Sequence, residues 1–403
     1  MTLKEGSPSP PTPLPRKRGE GSQSEIANRV SSFQRALLGA YTVGYERAAR
    51  PLLFRSSAGE AHEQMLRWLA RMDNLTGAAL LAAMRRATTV DQPAQVGGVV
   101  LPSPLMLAAG FVKGVGFDTE AEAQNYANSR DLIPGWRAMP ALVGPVEFGS
   151  FTRWPRVGNS GVVLWRDPAT QSTQNRVGLR NPGVRAAALF LGARRDQLPP
   201  VWGINLAPSP GISDDRVLCA ELLESLDLLL DAGLTPSWFT LNLSCPNTED
   251  DPGARQTGQQ AETLTTALAR RLDSAGIPLW VKLGPALGDA QYRVLLNVGT
   301  LTGVRAIVAT NTLGQPTPDD PNVIAGVGGG SIRPHALAAV RLLAEERARL
   351  GSTVDLVGCG GALDGASTRA FLDAGASAVQ YWSALVYRGP LAAAVLAAEA
   401  AGV

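Results

Sequence analysis

A (β/α)8 TIM barrel with a small N-terminal helical extension is the fold that this sequence predicts, and three observations predict it. From about Gly97 onward, eight short apolar runs each end in small or polar residues, and Ala/Leu-rich helical stretches fit between most of them. Eight β/α steps over about 300 residues match the size and rhythm of a closed parallel barrel. An open doubly wound sheet is the competing fold. It fits less well, because no early G-x-G-x-x-G turn is present and the glycine-rich turns come late.

The elements follow in order. Residues 1–24 are rich in Pro, Ser, Gly and Lys/Arg, cannot supply a core, and read as a disordered tail. Residues 25–92 read as the helical extension. Its first stretch, about Ile26 to Phe54, places Leu37, Ala40, Tyr41 and Gly44 at the spacing of one helix face. Ser56 or Ser57 caps a second helix carrying Met65, Leu66, Trp68 and Leu69. Residues 93–403 form the barrel. Its strands are expected at Leu105–Ala109, Ala141–Phe148, Val201–Leu206, Trp238–Leu243, Leu279–Leu283, Ala306–Ala309, Asp355–Val357 and Ala378–Tyr381. Helices are expected at Arg216–Ala232, Gln260–Ala275, Asp289–Thr302, Pro334–Leu350 and Ser367–Ala374.

Composition excludes several functions. A net charge of +2 over 403 residues argues against nucleic acid as the principal partner. The charge is uneven: residues 1–91 hold 13 Lys/Arg against 8 Asp/Glu, a net of +5, leaving −3 for the rest. A basic N-terminal piece on a faintly acidic body suits an anionic membrane surface, and equally suits solvated helix faces. The three cysteines, Cys219, Cys245 and Cys359, show no metal-ligand spacing, and with two histidines a histidine base is a poor expectation. No apolar run reaches the roughly 18–20 residues that a membrane-spanning helix needs.

In a TIM barrel the chemistry lies just beyond the C-terminal ends of the strands. Lys113, Asn205, Asn242 to Asn247, Lys282, Asn311, Gly328 to Gly330, Gly360, Gly361 and Ser383 fall there. Gly326 to Ser331, followed by Pro334 opening a helix, and Gly358 to Gly361 are backbone-donor loops beside the seventh and eighth strand regions. Each alone is a tight turn; together with Ser383 they suit the phosphate of a cofactor. Lys282 sits inside the apolar run Pro278 to Leu283. A lysine there must find a partner or snorkel out of the rim, and its functional reading is a cation beside an anionic ring such as a reduced flavin. Asn175, Asn242, Asn247 and Asn311 are expected in loops, where a converging set would suit a planar ring bearing imide and carboxylate groups. Cys245, between Ser244 and Pro246, is either a buried thiol or a proton-abstracting thiolate; Cys219 and Cys359 read as structural.

The segments Asn242-Leu243-Ser244-Cys245-Pro246-Asn247, Val281-Lys282-Leu283, Ala309-Thr310-Asn311-Thr312 and Gly375 to Ser383 resemble the dihydroorotate dehydrogenases. So do Leu107 to Lys113 and Asn175 to Gly178, and the likeness extends from about Tyr45 to Pro390. The resemblance implies FMN over the barrel mouth. Its phosphate would be held by Gly329, Gly360, Gly361, Trp382 and Ser383, and its ring met by Ala109, Gly110, Asn205, Asn242 and Lys282. Dihydroorotate or orotate would be gripped by Lys113, Asn175, Asn242, Asn247, Asn311 and Thr312. Cys245 would take the C5 proton while hydride leaves C6, and Lys282 would stabilise the charge on the reduced ring.

The stretch Tyr45 to Phe54, followed by Glu60-Ala61-His62, resembles the N-terminal helices of the quinone-reducing class 2 enzymes. That implies a peripheral protein on the cytoplasmic face of the cell membrane, with quinone as electron acceptor. Fumarate- or NAD-linked oxidation, a dihydropyrimidine dehydrogenase and a degenerate FMN-binding scaffold are the alternatives. The sequence departs from the family in five places. Cysteine occupies the base position, where class 2 carries serine, and Leu179 stands where phenylalanine is usual. Val112 and Gly114 flank Lys113 in place of Asp and Asn. Ala207-Pro208-Ser209-Pro210 replaces Gly-Lys-Asn-Lys, and Glu249-Asp250-Asp251 is inserted in the active-site loop.

Overall fold

The computed structural model describes residues 31–89, 91–129, 131–243 and 257–402. Eight parallel strands close into a barrel: β1 (Leu105–Leu107), β2 (Val146–Phe151), β3 (Trp202–Leu206), β4 (Trp238–Asn242), β5 (Leu279–Leu283), β6 (Ala306–Ala309), β7 (Asp355–Cys359) and β8 (Ala378–Tyr381). Each strand pairs with its successor in the chain, and β8 pairs back onto β1. These segments read as unbroken apolar runs because both of their faces are buried, one inside the barrel and one under helices. The expected Asp289–Thr302 helix has those bounds, and the other predicted helices lie within a few residues of their expected positions.

One strand was misplaced by the sequence pattern. Ala138–Val143 is a helix, and β2 begins only at Val146. A short apolar run is compatible with either element, so periodicity could not separate them.

The barrel interior is ordered by depth. At the N-terminal end the antiparallel strands Ala94–Val96 and Val99–Leu101 plug the opening. There the Gly97 carbonyl accepts from Trp280 Nε1 at 3.0 Å and its amide donates to Asp355 Oδ2 at 2.8 Å. Above the plug, Trp238 and Trp280 stack with centroids 4.6 Å apart. Polar side chains lie on the same strands towards the C-terminal rim, so the dry end is a packed floor and the polar end is where a ligand can sit.

A four-stranded antiparallel sheet lies over one side of that rim, in the order Leu313–Pro316, Ile324–Gly329, Ser172–Asn175, Leu164–Asp167. Gly326 to Gly329 therefore belong to a strand, not to the loop expected, and Asn175 ends a strand that pairs with Gly326. The helix that follows, Arg333–Leu350, does open with Pro334 in its first turn.

Among the described residues the extension holds three helices where two were expected: α1 (Ser32–Gly44), which runs on through a π-turn at Tyr45–Ala49 to Leu53, α2 (Ala58–Met72) and α3 (Leu75–Thr88). Ser57 caps α2 in a capping box with Glu60. The face that α1 buries is not the one expected. Leu38 and Tyr45 are buried, whereas Leu37, Ala40 and Gly44 are exposed. The buried face runs Leu38, Tyr41, Tyr45, an ordinary i, i+3, i+7 row one position on from the expected Leu37, Ala40, Gly44. Two tyrosines fix it: Tyr41 Oη donates to the Arg388 carbonyl at 3.0 Å and Tyr45 Oη to the Val386 carbonyl at 2.9 Å. Arg50 Nη1 donates to the Tyr387 carbonyl at 3.1 Å. Arg166 binds the Ser56 carbonyl and lies 4.3 Å over the Phe54 ring. Between α2 and α3, Asp73 accepts from the amides of Gly135, Arg137 and Ala138 at 2.6, 3.0 and 2.8 Å.

Candidate active site

A cleft of about 260 Å³ opens at the C-terminal rim. Its floor comes from the barrel, one wall from the antiparallel sheet, and the other from α2, which contributes Gly59, His62, Glu63 and Leu66. Of the sixteen residues expected at the site, thirteen line this cleft: Ala109, Gly110, Lys113, Asn175, Asn242, Lys282, Asn311, Thr312, Gly329, Gly360, Gly361, Trp382 and Ser383. Asn205 does not. It is fully buried one step behind the floor, where its Oδ1 accepts from Ser150 Oγ. Cys245 and Asn247 lie outside the described residues.

The asparagines form a chain of side-chain hydrogen bonds. Asn311 Nδ2 donates to Asn242 Oδ1 at 3.3 Å, Asn242 Nδ2 donates to Ser150 Oγ at 3.3 Å, and Ser150 Oγ donates to Asn205. The chain runs from the end of β6 across β4 and β2 to β3, so one network orients four strand ends. Asn175 is held separately on the overlying sheet, its Nδ2 donating to the Gly326 carbonyl at 3.4 Å.

Glycines shape the opposite side. Gly329, Gly360 and Gly361 have φ of +91°, +118° and +99°, and a Cβ on Gly329 would lie 2.5 Å from the Gln171 carbonyl oxygen. Only glycine fits such a path, and it leaves the backbone bare towards the cleft. Gly329 lies ahead of β7 and Gly360 and Gly361 lie between β7 and β8, beside the strands expected, and Ser383 after β8 completes the group. Ser383 Oγ is 2.7 Å from Thr173 Oγ1. Bare amides beside a hydroxyl, with no side chain between them and the cleft, suit a phosphate.

Lys282 is buried at 5% exposure, with its ammonium 3.3 Å from Gln380 Oε1 and 3.6 Å from Cys359 Sγ. Cys359 ends β7 and lines the cleft, so its place is at the site rather than in a structural turn. Burial pushes its thiol up, and the nearby Lys282 charge only partly opposes that. Of the eight buried side-chain polar atoms without a partner among the described residues, Thr312 Oγ1 lies in the cleft and Asn205 Nδ2 lies behind it. Such atoms are costly unless a ligand or water reaches them. The glycine cradle, the orphaned Thr312 hydroxyl and the cation facing the cleft together fit a flavin phosphate and ring.

Several lining residues were not foreseen. Ser150 belongs to no motif, and Thr310 was read only for the resemblance of Ala309 to Thr312. His62 and Phe111 form an aromatic cluster with Trp382, with His62 and Phe111 centroids 5.6 Å apart. Burial, then the charges of Lys113 and Arg180, lowers His62 to about 4, so the ring is neutral at pH 7. The only available signal for it was Glu60-Ala61-His62, read for its resemblance rather than for a place in the cleft.

The dihydroorotate dehydrogenase family model matches residues 93–401. The dihydroorotate dehydrogenase (quinone) of Chromobacterium violaceum is 33% identical over 361 residues, covering 85% of this chain and 93% of that one. The enzyme of the same description from Salinispora arenicola is 34% identical over 364 residues, covering 89% and 98%. A crystal structure of the Eimeria tenella enzyme in complex with ferulenol superposes with a TM-score of 0.66 at 21% identity, covering 85% of this chain and 90% of that one, and so supports the barrel fold. On the match over residues 93–401 and on relatives alike along nearly their whole length, the chain belongs to the dihydroorotate dehydrogenase family.

Proposed function

We propose that this protein oxidises dihydroorotate to orotate with bound FMN and passes the electrons to a membrane quinone. The observation that carries the reading is one cleft joining three features: an asparagine network with Lys113, a buried cation at Lys282, and a wall made by the N-terminal helices. Dihydroorotate is a small anion with a flat imide edge. Lys113 supplies the cation for its carboxylate, while Asn175, Asn242, Asn311 and Thr312 supply the mixed donors and acceptors that an imide needs. Asn247 would complete this set and Cys245 would serve as the base that removes the C5 proton; both assignments come from the sequence motif.

FMN, when bound, supplies the hydride acceptor. Gly329, Gly360, Gly361, Trp382 and Ser383 would hold its phosphate, with Ala109, Gly110 and Asn242 against its ring. Lys282 keeps positive charge where negative charge accumulates, and its buried setting strengthens that interaction. Asn205 would act from behind, by holding Ser150 and through it Asn242.

For the acceptor, the helices support a membrane quinone. Leu52, Leu75 and Leu80 are 58%, 73% and 57% exposed, and Phe33 is 71% exposed, all on the extension. Large apolar side chains left in water at such density suit burial in a lipid interface, beside a basic segment that favours anionic headgroups. No helix among the described residues is long and apolar enough to cross a membrane. The contact we propose is peripheral, on the cytoplasmic face. The test is anaerobic mixing of the yellow protein with dihydroorotate, followed by quinone, fumarate or NAD. Bleaching and rapid return with quinone are expected. No bleaching sinks the substrate assignment, and return with fumarate alone sinks the quinone.

A further inference from the structure

Lys282 was expected to need a partner, yet no carboxylate of the described residues touches it. The negative charge lies one side chain further in. Glu147, on β2, is fully buried inside the barrel. Its Oε2 accepts from Gln380 Nε2 at 2.9 Å and its Oε1 from Trp238 Nε1 at 3.4 Å. Two N–H donors converging on one carboxyl group suit the ionised form, which only accepts. The other end of the Gln380 amide, Oε1, accepts from Lys282 Nζ at 3.3 Å.

The amide therefore has a fixed polarity. Flipping it would set its NH2 against the ammonium and its carbonyl against the carboxylate, two repulsive contacts in place of two hydrogen bonds. Lys282, Gln380 and Glu147 form one ion pair held apart by an oriented dipole. Burying either charge alone would be severe, so each accounts for the other's presence. The spacing matters for function. A carboxylate directly on Nζ would cancel its field at the cleft. The intervening amide keeps the lysine charged while the cleft still faces a cation, and the remaining neighbour of Nζ, Cys359 at 3.6 Å, is a thiol.

We propose that Glu147, acting through Gln380, is a positioning residue that holds the Lys282 ammonium towards the cleft and, by its own charge, sets the electron affinity of the flavin. The inference rests on the flavin reading above. A negative charge near the ring disfavours the reduced, anionic state, so the wild-type potential is a compromise between Lys282 and Glu147.

The test is the two-electron midpoint potential of the bound flavin in Glu147→Gln, in Gln380→Glu and in the double exchange. Glu147→Gln removes the opposing charge and should raise the potential. The expected change is roughly tenfold in the preference for reduced over oxidised flavin, or about 30 mV for a two-electron couple. Gln380→Glu puts a second carboxylate against the lysine and should lower it. The double exchange restores the net charge with the carboxylate nearer the ring, and should return the potential to the wild-type value or below. A role confined to folding would alter melting temperature without this alternation of sign. Should Glu147→Gln not fold, Gln380→Glu and the double exchange still decide. Yellow variants with unchanged potentials would overturn this inference and leave the proposed function standing; a wild-type protein that takes up no flavin would overturn both.

Discussion

Gly389→Ala should detach the N-terminal extension while leaving the barrel folded. Gly389 has φ +76°, and a Cβ there would lie 2.4 Å from Tyr41 Oη and 2.5 Å from Tyr45 Cε2. With ψ at −168° this backbone lies in a region almost confined to glycine, which costs an alanine about 2 kcal/mol. Both tyrosines must also move by about 1 Å to reach van der Waals contact. That breaks three hydrogen bonds: Tyr41 Oη to the Arg388 carbonyl, the Leu391 amide to Tyr41 Oη at 3.2 Å, and Tyr45 Oη to the Val386 carbonyl. At about 1 kcal/mol each they bring the total to about 5 kcal/mol. Gly303→Ala is the control, because Gly303 has φ +85° with nothing within 4 Å of the added Cβ. Its αL backbone should cost about 1 kcal/mol alone, so of the roughly 4 kcal/mol difference between the variants about 3 kcal/mol reports the tyrosine docking and about 1 kcal/mol the harsher backbone of Gly389. Amide exchange across Ser32–Leu53 should speed up on the order of 100-fold in Gly389→Ala and not in Gly303→Ala. Flavin bleaching by dihydroorotate should be nearly unchanged in both, and return with quinone should slow only in Gly389→Ala. Equal exchange of the helix in the two variants would refute the docking argument.

Two further outcomes are expected. His62, lowered from 6.5 to about 4 mainly by burial, stays neutral in the folded chain while the unfolded chain takes up a proton below 6.5. Stability is therefore whole above pH 6.5 and is lost as pH falls towards 4, by at most about 3 kcal/mol given the ring's remaining contact with cleft water. His62→Phe should flatten urea-denaturation stability between pH 7 and 4.5, and parallel pH curves for the two proteins would refute the assignment. Cys245→Ser should move the rate–pH profile of flavin bleaching upward, since a hydroxyl is a weaker acid than a thiol, and an unmoved profile would clear Cys245 as the base.

What could be read from the sequence follows from how local each signal is. Barrel strands are buried on both faces, so β3 to β8 appear as short apolar runs whose position needs no knowledge of their neighbours. The sheet over the mouth has no such signature. Ile324–Gly329 is half glycine, and its partner Ser172–Asn175 is polar and about 150 residues distant; only pairing makes either a strand. The hairpin at the barrel floor did carry a signal, Gly97-Gly98 between alternating apolar residues, which fits a two-residue hairpin turn. The buried face of α1 was beyond local reading, because carbonyls of residues 386 and 388 select it. At the site, glycines, lysines and asparagines after strand ends were legible because the barrel assigns that position a meaning before any contact is known. Asn205 satisfied the same rule and still fell behind the floor, since Ser150 stands in front of it.

The rule that singled out Lys282 also bears on what was overlooked. A charged residue in an apolar strand must find its counter-charge within the same dry interior. Val146-Glu147-Phe148 has the form of Val281-Lys282-Leu283, one charge between buried apolar neighbours. Both side chains enter the barrel, on strands β2 and β5, and Ala378-Val379-Gln380-Tyr381 places an amide on a third strand at the same depth. Treated singly, the lysine reads as a ligand contact and the glutamate as an oddity. Taken together, two lone opposite charges on alternating positions of one closed sheet imply a buried pair, because neither would survive without the other. The field that a ligand meets in the cleft is then a property of the pair and of the amide between them, rather than of Lys282 alone.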